Sequence, residues 1–179
     1  MLWTEFMYAV AVGDIPATAP LSEVPIGGIP ELFQGKQWSV GDLLSMQCVS
    51  KRKCYPLAHV MEKVRQIAVG SILHVVQDSF AAGHTQRARL DDAARQACFG
   101  RIQRFFFYPA QNTEEHASGD RAQAWMLQGT ARDCLNATTA SARILEMVGA
   151  DGSEAQPWPS AKEYLEGVVF TVSEEGDST

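Results

Sequence analysis

Residues 13–38 limit the fold more than any other stretch, because four Gly and four Pro stand among short apolar pairs in GDIPATAPLSEVPIGGIPELFQGKQW. Each Pro removes a backbone donor and each Gly loosens the chain, so neither a long helix nor a central strand can run through. The segment is expected to be irregular and loop-rich. Before it, MLWTEFMYAVAV is apolar, with Glu5 inside it and no Lys or Arg ahead of it, which is not the pattern of a signal peptide. It reads as the end of a helix entered in mid-course, as in a fragment or a processed chain. After it, Ser39-Val-Gly-Asp42 reads as a capping box, with Asp42 in place of Glu, that opens a short helix over 43–48. The polar VSKRK run is expected to end that helix.

Helical spacing dominates the rest. Leu57, Val60, Met61, Val64, Ile67, Ala68, Ile72, Val75 and Val76 recur every three or four residues, and Pro56 suits a first turn, so one helix is expected over about 56–81. A short helix over 90–98 should follow. Residues 101–108, RIQRFFFY, fit a buried extended piece or a helical turn equally, and the aromatic run 105–108 reads as core rather than as a stacking platform. A helix over about 114–149 opens at Thr113-Glu-Glu-His and has a possible kink at Gly129. A last helix runs from Pro159 to about Phe170. No alternating strand pattern stands out, so the expected fold class is all-α: one multi-helix domain over 1–171, followed by an acidic, flexible tail over 172–179.

A chain of 179 residues that is 46% hydrophobic and 20% charged is not a disordered one. Gly, Ser and His interrupt the longest apolar run, 67–76, well short of the ~18 residues of a membrane span. A net charge of −6 argues against a surface that grips nucleic acid throughout. The four cysteines, Cys48, Cys54, Cys98 and Cys134, contain no C-x-x-C pair and so do not suggest a cysteine zinc site. They permit two disulfides without requiring any, and Cys98 reads as a buried thiol. Asn136-Ala-Thr138 matches a glycosylation acceptor but is expected inside a helix.

Three of the four histidines carry the chemistry: His74-Val-Val-Gln-Asp78, then His84, then His116-Ala-Ser-Gly-Asp120. Positions i and i+4 share a helix face, so each His–Asp pair offers an imidazole and a carboxylate to one metal ion. His84 would point about 120° away from Asp78 on a continuous helix and rejoins it only if the helix ends first, for which Ala-Ala-Gly83 offers a place. Such nitrogen and oxygen donors suit zinc, and a carboxylate between two imidazoles can bridge two ions. Phosphodiester hydrolysis is the matching reaction class. The contrasting reading makes each pair a local hydrogen bond on a helix. Arg87, Arg89, Arg95, Arg101 and Arg104 either line a phosphate-binding rim or lie on solvated faces.

The strings GSILHVVQDSFAAGHTQR and FFFYPAQNTEEHASGD, within residues 70–121, resemble the zinc-dependent phospholipase C and S1/P1 nuclease superfamily, with its H-x-x-x-D-x-x-x-x-x-H and later H-x-x-x-D or H-x-x-x-E. The resemblance implies an all-α, secreted or periplasmic phosphodiester hydrolase. It implies that His74 and Asp78 hold a first zinc, with Asp78 bridging as a catalytic group, and that His84, His116 and Asp120 hold a second. An upstream His and Asp complete the first site in the family; here His59 is the available imidazole and Asp42 or Asp14 the carboxylate, with Asp42 the candidate catalytic group. His59 and His74 would lie ~22 Å apart on one unbroken helix, so a shared ion requires a break between them. The family's third zinc uses an N-terminal Trp and a nearby His, whereas Trp3 follows two residues and has no His near it, so two ions are expected. The expected substrate is a phospholipid, which implies contact with a membrane surface, with single-stranded nucleic acid as the alternative. The rivals are a metal-binding but inactive domain and a helical interaction module.

Overall fold

The computed structural model of the chain describes residues 1–50, 53–89, 98–106 and 134–173. They fall into two compact units, Met1–Ile72 with Val148–Trp158 and Leu73–Met147 with Pro159–Thr179. Helices are accompanied by two antiparallel two-stranded sheets, so the fold is mixed α and β, a correction to the all-α architecture expected from sequence.

In the first unit, α1 (Leu2–Val12) buries Phe6, Met7, Tyr8, Val10 and Ala11. It stops at Gly13, whose φ of +95° is a left-handed conformation that favours glycine. The carbonyls of Ala11 and Val12 accept from Arg65 Nε and Nη2 at 2.8 and 2.9 Å, which satisfies acceptors left over at a helix end. Trp3 Nε1 donates to Ser71 Oγ at 2.8 Å and Tyr8 donates its hydroxyl to the Gln156 carbonyl at 2.9 Å. Burial, assisted by Asp14, pushes the Tyr8 phenol above its ordinary pKa. The Gly/Pro segment holds only a 3₁₀ turn at Leu21–Glu23 and the short α2 (Ile29–Leu32), anchored by buried Leu21, Val24 and Ile29.

Helix α3 (Val40–Ser45) begins at the capping box read from sequence but ends sooner than expected, since Met46 is already extended. Strand β1 (Met46–Ser50) pairs with β2 (Lys53–Pro56), with Cys48 opposite Cys54. Strands of five and four residues are too short for alternation to register. The helix expected over 56–81 is divided into α4 (Ala58–Met61) and α5 (Val64–Asp78), with turn conformation at Glu62 and Lys63. Apolar spacing carries on across the two-residue break, which is why periodicity misses it. The boundary between the units falls within α5, after Ile72.

In the second unit, β3 (Thr85–Arg89) pairs with β4 (Phe99–Phe105), Thr85 facing Phe105 and Arg87 facing Ile102. Thr85 and Arg87 are buried and Gln86 is exposed, so the strand alternates, but its inward members are polar and give no hydrophobic period. Ile102 is buried and exchanges backbone hydrogen bonds with the 171–173 segment, so residues 172 and 173 belong to the packed structure rather than to a free tail. Phe105 is 49% exposed, against the expectation of a core aromatic. The remainder of the tail, 174–179, and residues 90–97 of the helix expected over 90–98 lie outside the described residues, and Cys98 itself is not helical.

Of the helix expected over 114–149, residues 114–133 lie outside the description; within the described 134–149 only α6 (Ala137–Met147) is helical. Asn136 caps it, accepting from Thr139 N at 2.9 Å through Oδ1 while its own N–H donates to Thr139 Oγ1 at 3.0 Å. Fully buried, Asn136 is a helix cap and not a surface glycan acceptor, and it sits before the helix, not inside it. Helix α7 (Trp158–Tyr164) continues into a π-helical turn, Leu165–Val169. Cys98, read from sequence as a buried thiol, is buried but bonded to Cys134, and Phe99 N–H donates to the Leu135 carbonyl beside the bridge. Among the described residues no helix is long and apolar enough to cross a membrane.

The bridge spans 36 residues of sequence, and closing a loop of that length should stabilise the chain by roughly 2–4 kcal/mol. The Cys98→Ala/Cys134→Ala double variant should show a lower urea midpoint than the oxidised parent, and dithiothreitol should reproduce the shift in the parent alone.

Candidate metal centre

The cluster starts on α5, where i,i+4 spacing puts His74 Nε2 3.3 Å from Asp78 Oδ2. The helix ends at Asp78, three residues earlier than expected, and a series of tight turns follows. Phe80 N–H donates to the Gln77 carbonyl and Ala81 N–H to that of Asp78; His84 and Thr85 N–H both donate to the Ala81 carbonyl, at 2.9 and 3.0 Å. Thr85 Oγ1 closes the turn from its far end, donating to the Ser79 carbonyl at 2.7 Å. The reversal returns His84 to the helix end, its Nε2 3.9 Å from Asp78 Oδ1. Just past β4, Phe106 holds it there through its N–H, which donates to the His84 carbonyl at 2.9 Å.

Asp78 thus faces one imidazole with each carboxylate oxygen. Exposure falls from 76% at the His74 side chain to 30% at Asp78 and 21% at His84, so the cluster opens to solvent on the His74 side. Among the described residues no group of three or more His, Cys, Asp or Glu side chains stands where it could hold a metal ion. The donor set nevertheless suits zinc. Ligands at about 2.0–2.1 Å on a tetrahedral ion lie about 3.3 Å from one another. His74 and Asp78 already stand at that spacing, whereas His84 Nε2 stands 3.9 Å from Asp78 Oδ1. His116 and Asp120, the other expected ligands, lie outside the described residues.

The remaining candidates sit elsewhere. Asp42 belongs to the first unit, where its Oδ2 accepts from Ser39 N–H at 2.9 Å and Ser39 Oγ–H at 2.8 Å, while Asp42 N–H donates to Ser39 Oγ at 3.1 Å. That carboxylate is a helix cap. His59, also of the first unit, is exposed on α4; the break after α4 removes the 22 Å helical separation from His74 as an argument but leaves the two on different units. Asp14 is exposed beside Gly13. Trp3 packs edge-on against Phe6.

Arg87 is neither a phosphate rim nor a solvated face. It is buried, donating from Nε to the Ser79 carbonyl, from Nη2 to Ser79 Oγ and to the Val169 carbonyl, and from Nη1 to the Gly100 carbonyl. Its guanidinium lies 4.1 Å from the centre of the Phe80 ring. Burial lowers its pKa to about 10, which leaves it protonated at neutral pH. Arg101 and Arg104 are exposed, and Arg104 stacks 5.6 Å over the Phe106 ring. The side chain of Arg89, and Arg95, lie outside the description. Ser79, Thr85 and Arg87 escape sequence reading because their roles depend on a turn that apolar spacing cannot show; the polar in–out alternation of Thr85, Gln86 and Arg87 is the one available hint.

Compared with protein-family models, with curated proteins and with solved structures, the chain matches none.

Removing the cap tests the assignment of Asp42. Asp42→Ala and Ser39→Ala should each lower stability by about 1 kcal/mol in chemical denaturation. Neither should change the metal content measured by elemental analysis, whereas Asp78→Ala should reduce it.

Proposed function

We propose that the chain is a zinc-dependent phosphodiester hydrolase, with phospholipid as the favoured substrate. The observation that carries this reading is Asp78 placed between His74 and His84, one carboxylate oxygen toward each Nε2. A histidine–carboxylate pair alone has an ordinary explanation as a helix-surface contact. A second imidazole brought to the same carboxylate by a chain reversal has no such local explanation. The resemblance of residues 70–121 to the phospholipase C and S1/P1 nuclease superfamily supplies the reaction class.

In this reading His74 and Asp78 would hold one ion and His84, His116 and Asp120 would hold the second, with Asp78 available to both. When bound, zinc supplies a hydroxide nucleophile at neutral pH and a positive clamp for the phosphoryl oxygens. The protein's part is to fix its donors. The rigid helix sets the His74–Asp78 spacing, and the turn sets His84. Asp42 takes no catalytic part in this proposal, because its carboxylate is committed to capping α3. The Cys98–Cys134 bridge suits an oxidising compartment such as the periplasm or the cell exterior.

Elemental analysis of untagged protein should give two zinc ions per chain, with fewer in His84→Ala and Asp120→Ala. The parent should hydrolyse phosphatidylcholine vesicles faster than single-stranded DNA, and Asp78→Asn should lower kcat/KM by more than about 100-fold, the upper end of what outer-shell changes cost. One zinc without turnover would replace the enzyme by an inactive metal-binding domain. No zinc after incubation with it would overturn the reading.

A further inference from the structure

We propose that Arg87 is a positioning residue of this centre: its buried guanidinium holds the turn after α5 closed and so keeps His84 against Asp78. The ligand role rests on the zinc reading above; the turn itself does not. Asp78 and His84 are six residues apart, and on a continued helix they would diverge by about 120°. Their approach therefore depends on whatever holds the reversal.

The backbone points to Arg87. The Ser79 carbonyl, the first beyond the helix, accepts from Thr85 Oγ1 and from Arg87 Nε, groups six and eight residues further on. Those bonds can form only with the chain reversed. The same guanidinium reaches Gly100 on β4 and Val169 in the π-helical turn, tying the turn to two other elements of its unit. A planar fork of five donors can serve these divergent acceptors at once, which a single ammonium cannot. Among the described residues every acceptor it meets is a neutral carbonyl or hydroxyl. A buried cation with no counter-charge among the described residues is a costly choice where packing alone is needed, since an apolar side chain often does as well or better. What the cation adds is one defined path for the chain between Asp78 and His84.

The test uses the full-length chain with Arg87→Lys, Arg87→Gln and the milder Thr85→Val, read in two ways. Amide hydrogen exchange is measured on metal-free protein, and cobalt(II) binding by visible absorption. In Arg87→Lys, exchange at the His84, Thr85 and Phe106 amides should speed up at least ~10-fold, while Ala140 and Ile144 in α6 keep their protection. Cobalt affinity should fall about 10–100-fold, with an altered ligand-field spectrum. Thr85→Val should move both readouts the same way, by less, and remains informative if Arg87→Gln fails to fold. Parental cobalt affinity in Arg87→Lys, or a rise in exchange spread evenly through the second unit, would overturn the proposal while leaving the zinc reading intact. A parent that binds no cobalt would overturn the zinc reading, and the ligand role with it.

Discussion

The carbonyl of Ser79 is the point on which the arrangement turns. As the first backbone group past α5 it has lost its helical partner, and a buried acceptor left unpaired costs on the order of 1–3 kcal/mol. It is satisfied by Thr85 Oγ1 and Arg87 Nε, both supplied by the strand that follows. Termination of the helix, reversal of the chain and entry into β3 are therefore one event. His84 lies between the two ends of that event and is delivered to Asp78 by it.

Polar groups, not apolar ones, thus determine the local path of the second unit. Its apolar residues, Val76, Ile102, Ile144, Leu165 and Val169 among them, supply burial without direction. Direction comes from Arg87, from the Asn136 cap on α6 and from the Cys98–Cys134 bridge, which joins the start of β4 to the approach to that cap. The first unit has a parallel in Arg65, whose guanidinium closes the last carbonyls of α1.

This division explains what the sequence makes legible. The Gly/Pro segment, the Ser39–Asp42 box and the helical character of 64–78 are local properties, and they are readable because propensity, capping and apolar spacing agree there. The two sheets are not readable. β1 and β2 are too short to show a period, and β3 buries Thr and Arg where a strand usually buries Val or Ile. The break between α4 and α5 hides because apolar residues keep their spacing across it. At the site, the i,i+4 pair of His74 and Asp78 and the need for a helix end before His84 follow from helix geometry alone. The residues that bring about that end, Ser79, Thr85 and Arg87, have no local pattern to announce them. Asp42 shows the converse case: its capping pattern and its candidacy as a ligand occupy the same residue, and the structure commits its carboxylate to the cap.

The central claim is that His74 and His84 serve one metal centre through the carboxylate they share. Histidine side-chain ¹⁵N NMR during a zinc titration tests it most directly. The account predicts that the Nε2 resonances of His74 and His84 move over the same range of added zinc, and that Asp78→Asn weakens both together. A titration that moves only one of them, or moves both equally in Asp78→Asn, would contradict it.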